Sequence, residues 1–277
     1  MKMFETVDAF RAACASAKRP LGLVPTMGAL HAGHRSLLER ARSDDSTLAA
    51  TIFVNPTQFG SSEDFSEYPR DLKSDLAMME ETGVDLLFAP GVEEMYPKGF
   101  DTSIDVGRIA KRLEGEHRPG HFLGVATVVC KLLSIARPDR AYFGQKDAQQ
   151  SLIIKRLNTD LNLGAETVIC PTVREPDGLA LSSRNKYLSP SEREAATVLY
   201  RSLKLAQDLG TSDANEIHSR MRDLIGDETL ASIEYVSVAD AETLEELDVV
   251  DRPALVSLAI HIGATRLIDN ILINSDG

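Results

Sequence analysis

Short apolar runs alternate with longer stretches in which apolar residues return every three or four positions. Leu21–Val24 with Pro25-Thr26, Thr47–Val54, Asp85–Ala89, Arg140–Phe143 and Thr167–Cys170 read as strands; continuous apolar and β-branched runs of this length suit strands buried on both faces. Between them, Gly33–Arg42 places Leu37, Leu38 and Ala41 on one helical face, and Asp71–Thr82 is an amphipathic helix that stops before Gly83. Val125–Ala136 is apolar nearly all round and ends before Arg137-Pro138, which predicts a core helix. Strands alternating with helices predict an α/β fold, a Rossmann-like doubly wound parallel sheet.

The pattern changes after about residue 172. Ser189-Pro190-Ser191-Glu192 is a capping box with proline at the first helical position, predicting a helix towards Gly210. Ala214–Ile225 predicts a second helix, and Ile233–Val238, Ala254–Ile262 and Thr265–Ile273 the strands of a small mixed sheet. The expectation is a Rossmann-like domain over 1–172 and a smaller α+β lid domain over 173–277. With no long linker between them, the junction is where a ligand site is expected.

Composition narrows the classes. The 277 residues are 43% hydrophobic and 26% charged, the usage of a folded globular chain. Acidic residues outnumber basic ones by 42 to 30, and a net charge of -12 repels phosphate backbones and anionic lipid, so neither nucleic acid nor a membrane is an expected partner. No apolar run approaches the roughly 20 residues of a membrane span, and the first residues lack a signal-peptide core, so a cytoplasmic location is expected. Three cysteines without a Cys-x-x-Cys spacing read as reduced, buried thiols.

Candidate chemistry collects at predicted strand ends. Four of the six histidines form two pairs, His31/His34 and His117/His121, in Gly-containing segments. The first pair follows a strand and opens a helix, the ligand crevice of a doubly wound sheet. Gly28 and Gly33 would let a phosphate approach backbone N–H groups, with both imidazoles as further donors. Zinc proteases need His-Glu-x-x-His in a helix, which neither pair supplies. Gln58, in Asn55-Pro56-Thr57-Gln58, is a candidate substrate ligand at the next strand end, whereas Asn55 is explained as a turn initiator. After the fourth strand, Lys146 can reach a nucleotide phosphate and Asp147 can cap a helix that carries Gln149 and Gln150. Leu181-Ser182-Ser183-Arg184-Asn185-Lys186 has the composition of a phosphate clamp. Glu63, Asp64, Asp71 and Asp75 offer carboxylates to a magnesium ion. Nucleophile-elbow, P-loop and thiol constellations are missing, which leaves nucleotide-dependent transfer.

Seven ordered blocks, PTMGALHAGH (25–34), FVNPTQF (53–59), YPR (68–70), MYP (95–97), RPGHFLGVATVVCKL (118–132), FGQKDAQQ (143–150) and PTVREPDGLALSSRNKYLS (171–189), resemble the pantothenate synthetase family. That family belongs to the His-x-Gly-His nucleotidylyltransferase superfamily. The resemblance implies ATP-dependent condensation of pantoate with β-alanine through pantoyl adenylate, releasing pyrophosphate and AMP, with ATP as substrate, Mg2+ as cofactor and a homodimeric assembly. It implies an ATP site lined by Met27, Gly28, Ala29, Leu30, His31, Ala32, Gly33, His34, Gly144, Gln145, Lys146, Asp147, Val173, Leu181, Ser182, Ser183 and Arg184. Of these, His34, His31, Lys146 and Arg184 would stabilise charge in the reaction. Gln58, Gln150, Arg118 and His121 would hold pantoate or β-alanine, and Asp75 would serve the metal. Where the family reads Gly-Glu-Lys-Asp and Met-Ser-Ser-Arg, this chain has Gln145 and Leu181, changes that spare the charged residues. A nucleotidylyltransferase acting on a phosphate ester, or an ATP-binding regulatory protein, are the rival readings.

Overall fold

A computed structural model describes residues 1–60, 65 and 68–274. The chain divides into two compact units, Met1–Pro171 and Thr172–Gly277.

The first unit runs β1 (Lys2–Phe4), α1 (Val7–Ala15), β2 (Leu21–Thr26), α2 (Ala32–Asp44), β3 (Thr47–Ile52), α3 (Leu72–Glu81), β4 (Leu86–Phe88), α4 (Val92–Met95), α5 (Glu114–His117), α6 (His121–Ala136), β5 (Arg140–Gly144), α7 (Ala148–Asp160) and β6 (Glu166–Cys170). Its strands form one parallel sheet in the order β1-β4-β3-β2-β5-β6. From β2 the chain first moves to β3 and β4, then returns to the other side of β2 as β5 and β6. The carboxyl ends of β2 and β5 flank that reversal, where an open α/β sheet has its ligand crevice. The doubly wound expectation holds. β1 and α1 were not expected: a three-residue strand that pairs Lys2 with Leu86 has no periodicity of its own.

Leu37, Leu38 and Ala41 of α2 pack with Val24, Leu48, Ala50, Met79, Leu87 and Tyr142 in one buried cluster. At the sheet edge opposite the crevice, the Asp45 carboxylate after α2 accepts the Tyr142 hydroxyl and Arg140 Nη1 of β5. Gly22 of β2 admits that carboxylate, since a Cβ there would stand 2.3 Å from Asp45 Oδ2. Burial and Asp45 raise the Tyr142 pKa, so the phenol remains a donor. Thus α2 is tied to β5 at one edge while both elements carry site residues at the other.

In the second unit, α8 (Pro190–Ala195), α9 (Val198–Asp208) and α10 (Ala214–Gly226) precede β7 (Ala231–Asp240), β8 (Ala254–Ile262) and β9 (Thr265–Ile273). The expected mixed sheet is antiparallel throughout, in the order β7-β8-β9. Only two residues, Gly263 and Ala264, separate β8 from β9, and so short a link joins antiparallel strands alone. The Ser189/Glu192 capping box is present, but the helix it opens stops at Ala195. The Thr197 hydroxyl donates to Glu194 O at 2.8 Å, a local bond that competes with the helical ladder. Cys14 and Cys170 are buried as expected, whereas Cys130 is only partly so.

One close approach shapes the site. Gly124 of α6 lies against the turn at 56–58, and a Cβ there would stand 2.4 Å from Thr57 O. Gly124→Ala gains about 1 kcal/mol in helix propensity, but overpacking against backbone costs about 1–3 kcal/mol. A net loss is expected, read as a lower denaturant midpoint at unchanged slope.

Candidate active site

Beyond β2 the chain passes through Met27, Gly28, Ala29 and Leu30 into α2. Gly28 (φ +82°) and Ala29 (φ +52°) are both left-handed, a conformation that glycine adopts freely and alanine rarely. Asp75, on the first turn of α3 and 2% exposed, accepts the amides of Ala29 at 2.9 Å and Leu30 at 2.7 Å.

The two histidines complete the turn. His31 is the N-cap of α2, and its Nδ1 accepts the Gly33 amide at 3.1 Å. His34 Nδ1 accepts the His31 amide at 3.3 Å. This is a capping box with imidazoles in both roles. A backbone N–H only donates, so both Nδ1 atoms act as acceptors and the neutral rings carry their hydrogen on Nε2. The ring centroids lie 4.2 Å apart. The sequence suggested that backbone amides of this loop would face a phosphate; four of them have partners within the protein. The amides of Ala29, Leu30, His31 and Gly33 point to Asp75 and the imidazole Nδ1 atoms, which makes Nε2–H the donor on each ring.

The end of β5 lies beside this loop. Gly144 leads into a short 3-10 turn, Gln145–Asp147. Lys146 Nζ is 3.4 Å from Asp147 Oδ1, and Asp147 occupies the N-cap position of α7 without the capping bond expected of its side chain. Burial, followed by the neighbouring His31, pushes the His34 pKa down to about 3; Asp147 opposes this shift and Lys146 adds to it. Both His34 and Lys146 are partly buried.

A polar network follows β3. Asn55 Oδ1 accepts the Thr57 amide at 3.3 Å, and its Nδ2 donates to Gly124 O at 3.2 Å; these backbone partners fix which way the amide points. Asn55 Nδ2 also donates to Gln58 Oε1 at 3.0 Å, so Gln58 turns its NH2 towards Met27 Sδ, 3.0 Å away. Tyr96 of the MYP block donates to Asn55 Oδ1 at 2.7 Å. His121, the first residue of α6, donates from Nδ1 to Gln58 O at 2.8 Å and faces Arg118 Nη1 through Nε2 at 3.0 Å. Gln58, His121 and Arg118 therefore converge. Asn55 and Tyr96 were not singled out from sequence, because Asn-Pro explains itself as a turn and a lone tyrosine has no distinctive spacing. Of the glutamines on α7, Gln149 is buried and bridges Ile109 O, Arg112 O and the Glu114 amide, while Gln150 is partly buried.

In the second unit, the Leu181 amide donates to Val173 O at 3.0 Å, joining two of the expected positions. Ser182 caps the short turn Ser183–Tyr187 by accepting the Arg184 amide at 3.3 Å, and Arg184 is exposed. Arg174 holds this stretch through two bonds to Asp269, at 2.6 and 3.0 Å.

The carboxylates offered to magnesium have other partners where they are seen. Asp71 caps α3 by accepting the Ser74 amide at 3.1 Å, and Asp75 holds the Ala29 and Leu30 amides. Glu63 and Asp64 lie outside the described residues. Among the described residues no group of three or more His, Cys, Asp or Glu is placed to hold a metal ion, and no helix is long and apolar enough to cross a membrane.

A parallel sheet with paired imidazole donors at its reversal, a lysine beside them and an amide cluster at the next strand end defines a nucleotide-dependent transferase or ligase of the Rossmann-like class. The comparisons are specific. The family model described as pantoate-beta-alanine ligase matches residues 2–272. The chain is 57% identical to the pantothenate synthetase of Roseiflexus castenholzii over 99% of its length and all of the relative's. The crystal structure of pantothenate synthetase from Thermus thermophilus superposes with a TM-score of 0.93 at 47% identity, covering 98% of this chain and 99% of that one. A pantoate-beta-alanine ligase from Francisella tularensis, crystallised with beta-gamma ATP and beta-alanine, does so at 0.80 and 37% identity, covering 98% and 97%. The chain belongs to the pantoate–β-alanine ligase family.

The His34 environment sets a titration. Its folded pKa of about 3 lies below its ordinary 6.5, so between these values the unfolded chain binds more protons. His34 therefore reduces stability as pH falls from 6.5 towards 3 and has no effect above that window. In ligand-free protein the His34 imidazole is expected to stay neutral down to about pH 4 by NMR titration. An anionic nucleotide beside it should raise the midpoint.

Proposed function

We propose that the chain joins pantoate to β-alanine in two steps, with the residues above in definite roles. It is an ATP-dependent ligase, and the observation that carries the mechanism is the reciprocal imidazole cap beside Lys146. An amine cannot expel oxide from a carboxylate, so the acid must first gain a leaving group. A pantoate carboxylate oxygen attacks the α-phosphorus of ATP; the new O–P bond forms as the bond to the β-phosphate oxygen breaks, releasing pyrophosphate. The neutral amine of β-alanine then attacks the acyl carbon of pantoyl adenylate, forming the amide, losing a proton and releasing AMP.

In this reading His31 and His34 donate from Nε2 to phosphoryl oxygens. Neutral imidazoles add no fixed charge to the resting site, and their hydrogen bonds strengthen as negative charge develops on those oxygens. Lys146 supplies the mobile positive charge. Met27 to Ala32, Gly33, Gly144, Gln145 and Asp147 line the nucleotide, and Val173, Leu181, Ser182, Ser183 and Arg184 of the second domain (173–277, beside a first domain of 1–172) are further nucleotide ligands, Arg184 as a phosphate contact. Gln58, oriented as a donor by Asn55, takes a pantoate oxygen, with Gln150, Arg118 and His121 completing the acid and amine subsites. Among the described residues no cluster of side chains would by itself hold magnesium, and an ion accompanying ATP would supply positive charge against the phosphates. The same reading takes the enzyme to be a cytoplasmic homodimer.

Pyrophosphate release that requires pantoate, together with AMP release that requires β-alanine, is the expected outcome of the assay. A nucleotidylyltransferase would stop after pyrophosphate, and a binding protein would release neither. His34→Ala should slow pantoate-dependent pyrophosphate release by roughly 10²–10³ while nucleotide affinity changes little, because the lost donor acts on charge that develops in the transition state. For Gln58→Ala, saturation curves should show a raised KM for pantoate and a nearly unchanged KM for ATP; a change confined to ATP would show that the subsites are exchanged.

A further inference from the structure

We propose that Asp75 is a positioning residue that folds the loop presenting His31 and His34, and that it is not a magnesium ligand. Its two oxygens are divided between adjacent amides, Oδ2 accepting from Ala29 at 2.9 Å and Oδ1 from Leu30 at 2.7 Å. The carboxylate is 2% exposed. A carboxylate that receives two parallel N–H groups favours the turn that aims them at it, the geometry of an anion-binding nest whose anion belongs to the protein.

The loop needs such an anchor. Gly28 and Ala29 are consecutive left-handed residues, and a non-glycine residue holds that conformation only where its surroundings dictate it. α3 approaches so closely that a Cβ on Gly28 would stand 2.9 Å from Asp75 Oδ2. The anchor itself is rigid: Asp75 N donates to Asp71 O at 3.0 Å within the first turn of α3, and Met79, one turn on, is fully buried in the core. The anchored Leu30 amide directly precedes His31, whose own amide donates to His34 Nδ1. The chain of contacts thus runs from the Asp75 carboxylate through one peptide unit to both imidazoles. A magnesium site needs several oxygen ligands around one point, and among the described residues no other acidic or imidazole pair joins Asp75 to form such a group.

The proposal rests on the ligase reading only for its kinetic test. In the wild-type protein, without nucleotide or metal, the Ala29 and Leu30 amides should exchange slowly with solvent, and Mg2+ alone should leave their NMR signals unmoved. Asp75→Asn keeps the shape but turns an NH2 group towards a backbone N–H. It should remain folded by circular dichroism, lose the slow exchange of these amides and shift the His31 and His34 ring nitrogen signals. It should also slow pantoate-dependent pyrophosphate release about 10²-fold, the scale of an ångström of misplacement, with the half-saturating Mg2+ concentration within twofold of wild type. Unprotected wild-type amides, a wild-type rate in the variant, or a tenfold higher Mg2+ requirement with unmoved imidazole signals would each overturn the proposal. If the variant does not fold, the wild-type exchange and Mg2+ arms still decide. Wild-type protein that releases no pyrophosphate with pantoate would refute the ligase reading instead, leaving the exchange and imidazole measurements to judge Asp75.

Discussion

At the start of α2 two imidazoles satisfy two backbone amides, and much of the chemistry follows from that exchange. A helix begins with donors that lack partners. Serine or aspartate satisfies them most often; here His31 and His34 do so through Nδ1. The bond that caps the helix also selects the tautomer, so Nε2–H is the donor on each ring. It opposes protonation as well, since a protonated Nδ1 could not accept. Burial and the facing ring act in the same direction, and His34 remains neutral far below ordinary histidine pH.

The sheet divides its two edges between stability and chemistry. At the amino edge, Asp45, Tyr142, Arg140 and the missing side chain of Gly22 lock α2, β2 and β5 together. At the carboxyl edge the same elements end in the His31/His34 loop and in Lys146. Parallel strands make this division possible, because every strand delivers its following loop to the same edge. The crossing point of the winding then decides which loops become neighbours.

Around Gln58 the backbone sets polarity. Thr57 N–H and Gly124 C=O fix the Asn55 amide, Asn55 fixes Gln58, and the Gln58 carbonyl fixes the His121 tautomer, which in turn receives Arg118. Each step transmits a donor or acceptor identity from an unambiguous main-chain group to a side chain of the candidate site. Side chains that would otherwise choose between two orientations are left with one. The Gln58 NH2 is thereby a preformed donor that carries no charge.

The sequence by itself determined the alternation of strands and helices, the strands β8 and β9 though not their antiparallel pairing, the capping box at Ser189, and the three strand-end segments that carry the histidines, Gln58 and Lys146. These are local matters: periodicity, caps and turns are written within a few residues of where they act. Tertiary structure alone decided what lies far apart in the chain. The edge pairing of β1 with β4, the grip of Asp75 on Ala29 and Leu30 across more than forty residues, and the bond from His121 to Gln58 have no signature in spacing. It also decided that the loop amides turn inward and that the imidazoles are neutral donors. Hydrogen-bond polarity and pKa are properties of partners and burial, and neither exists until the parallel sheet has brought the loops to one edge.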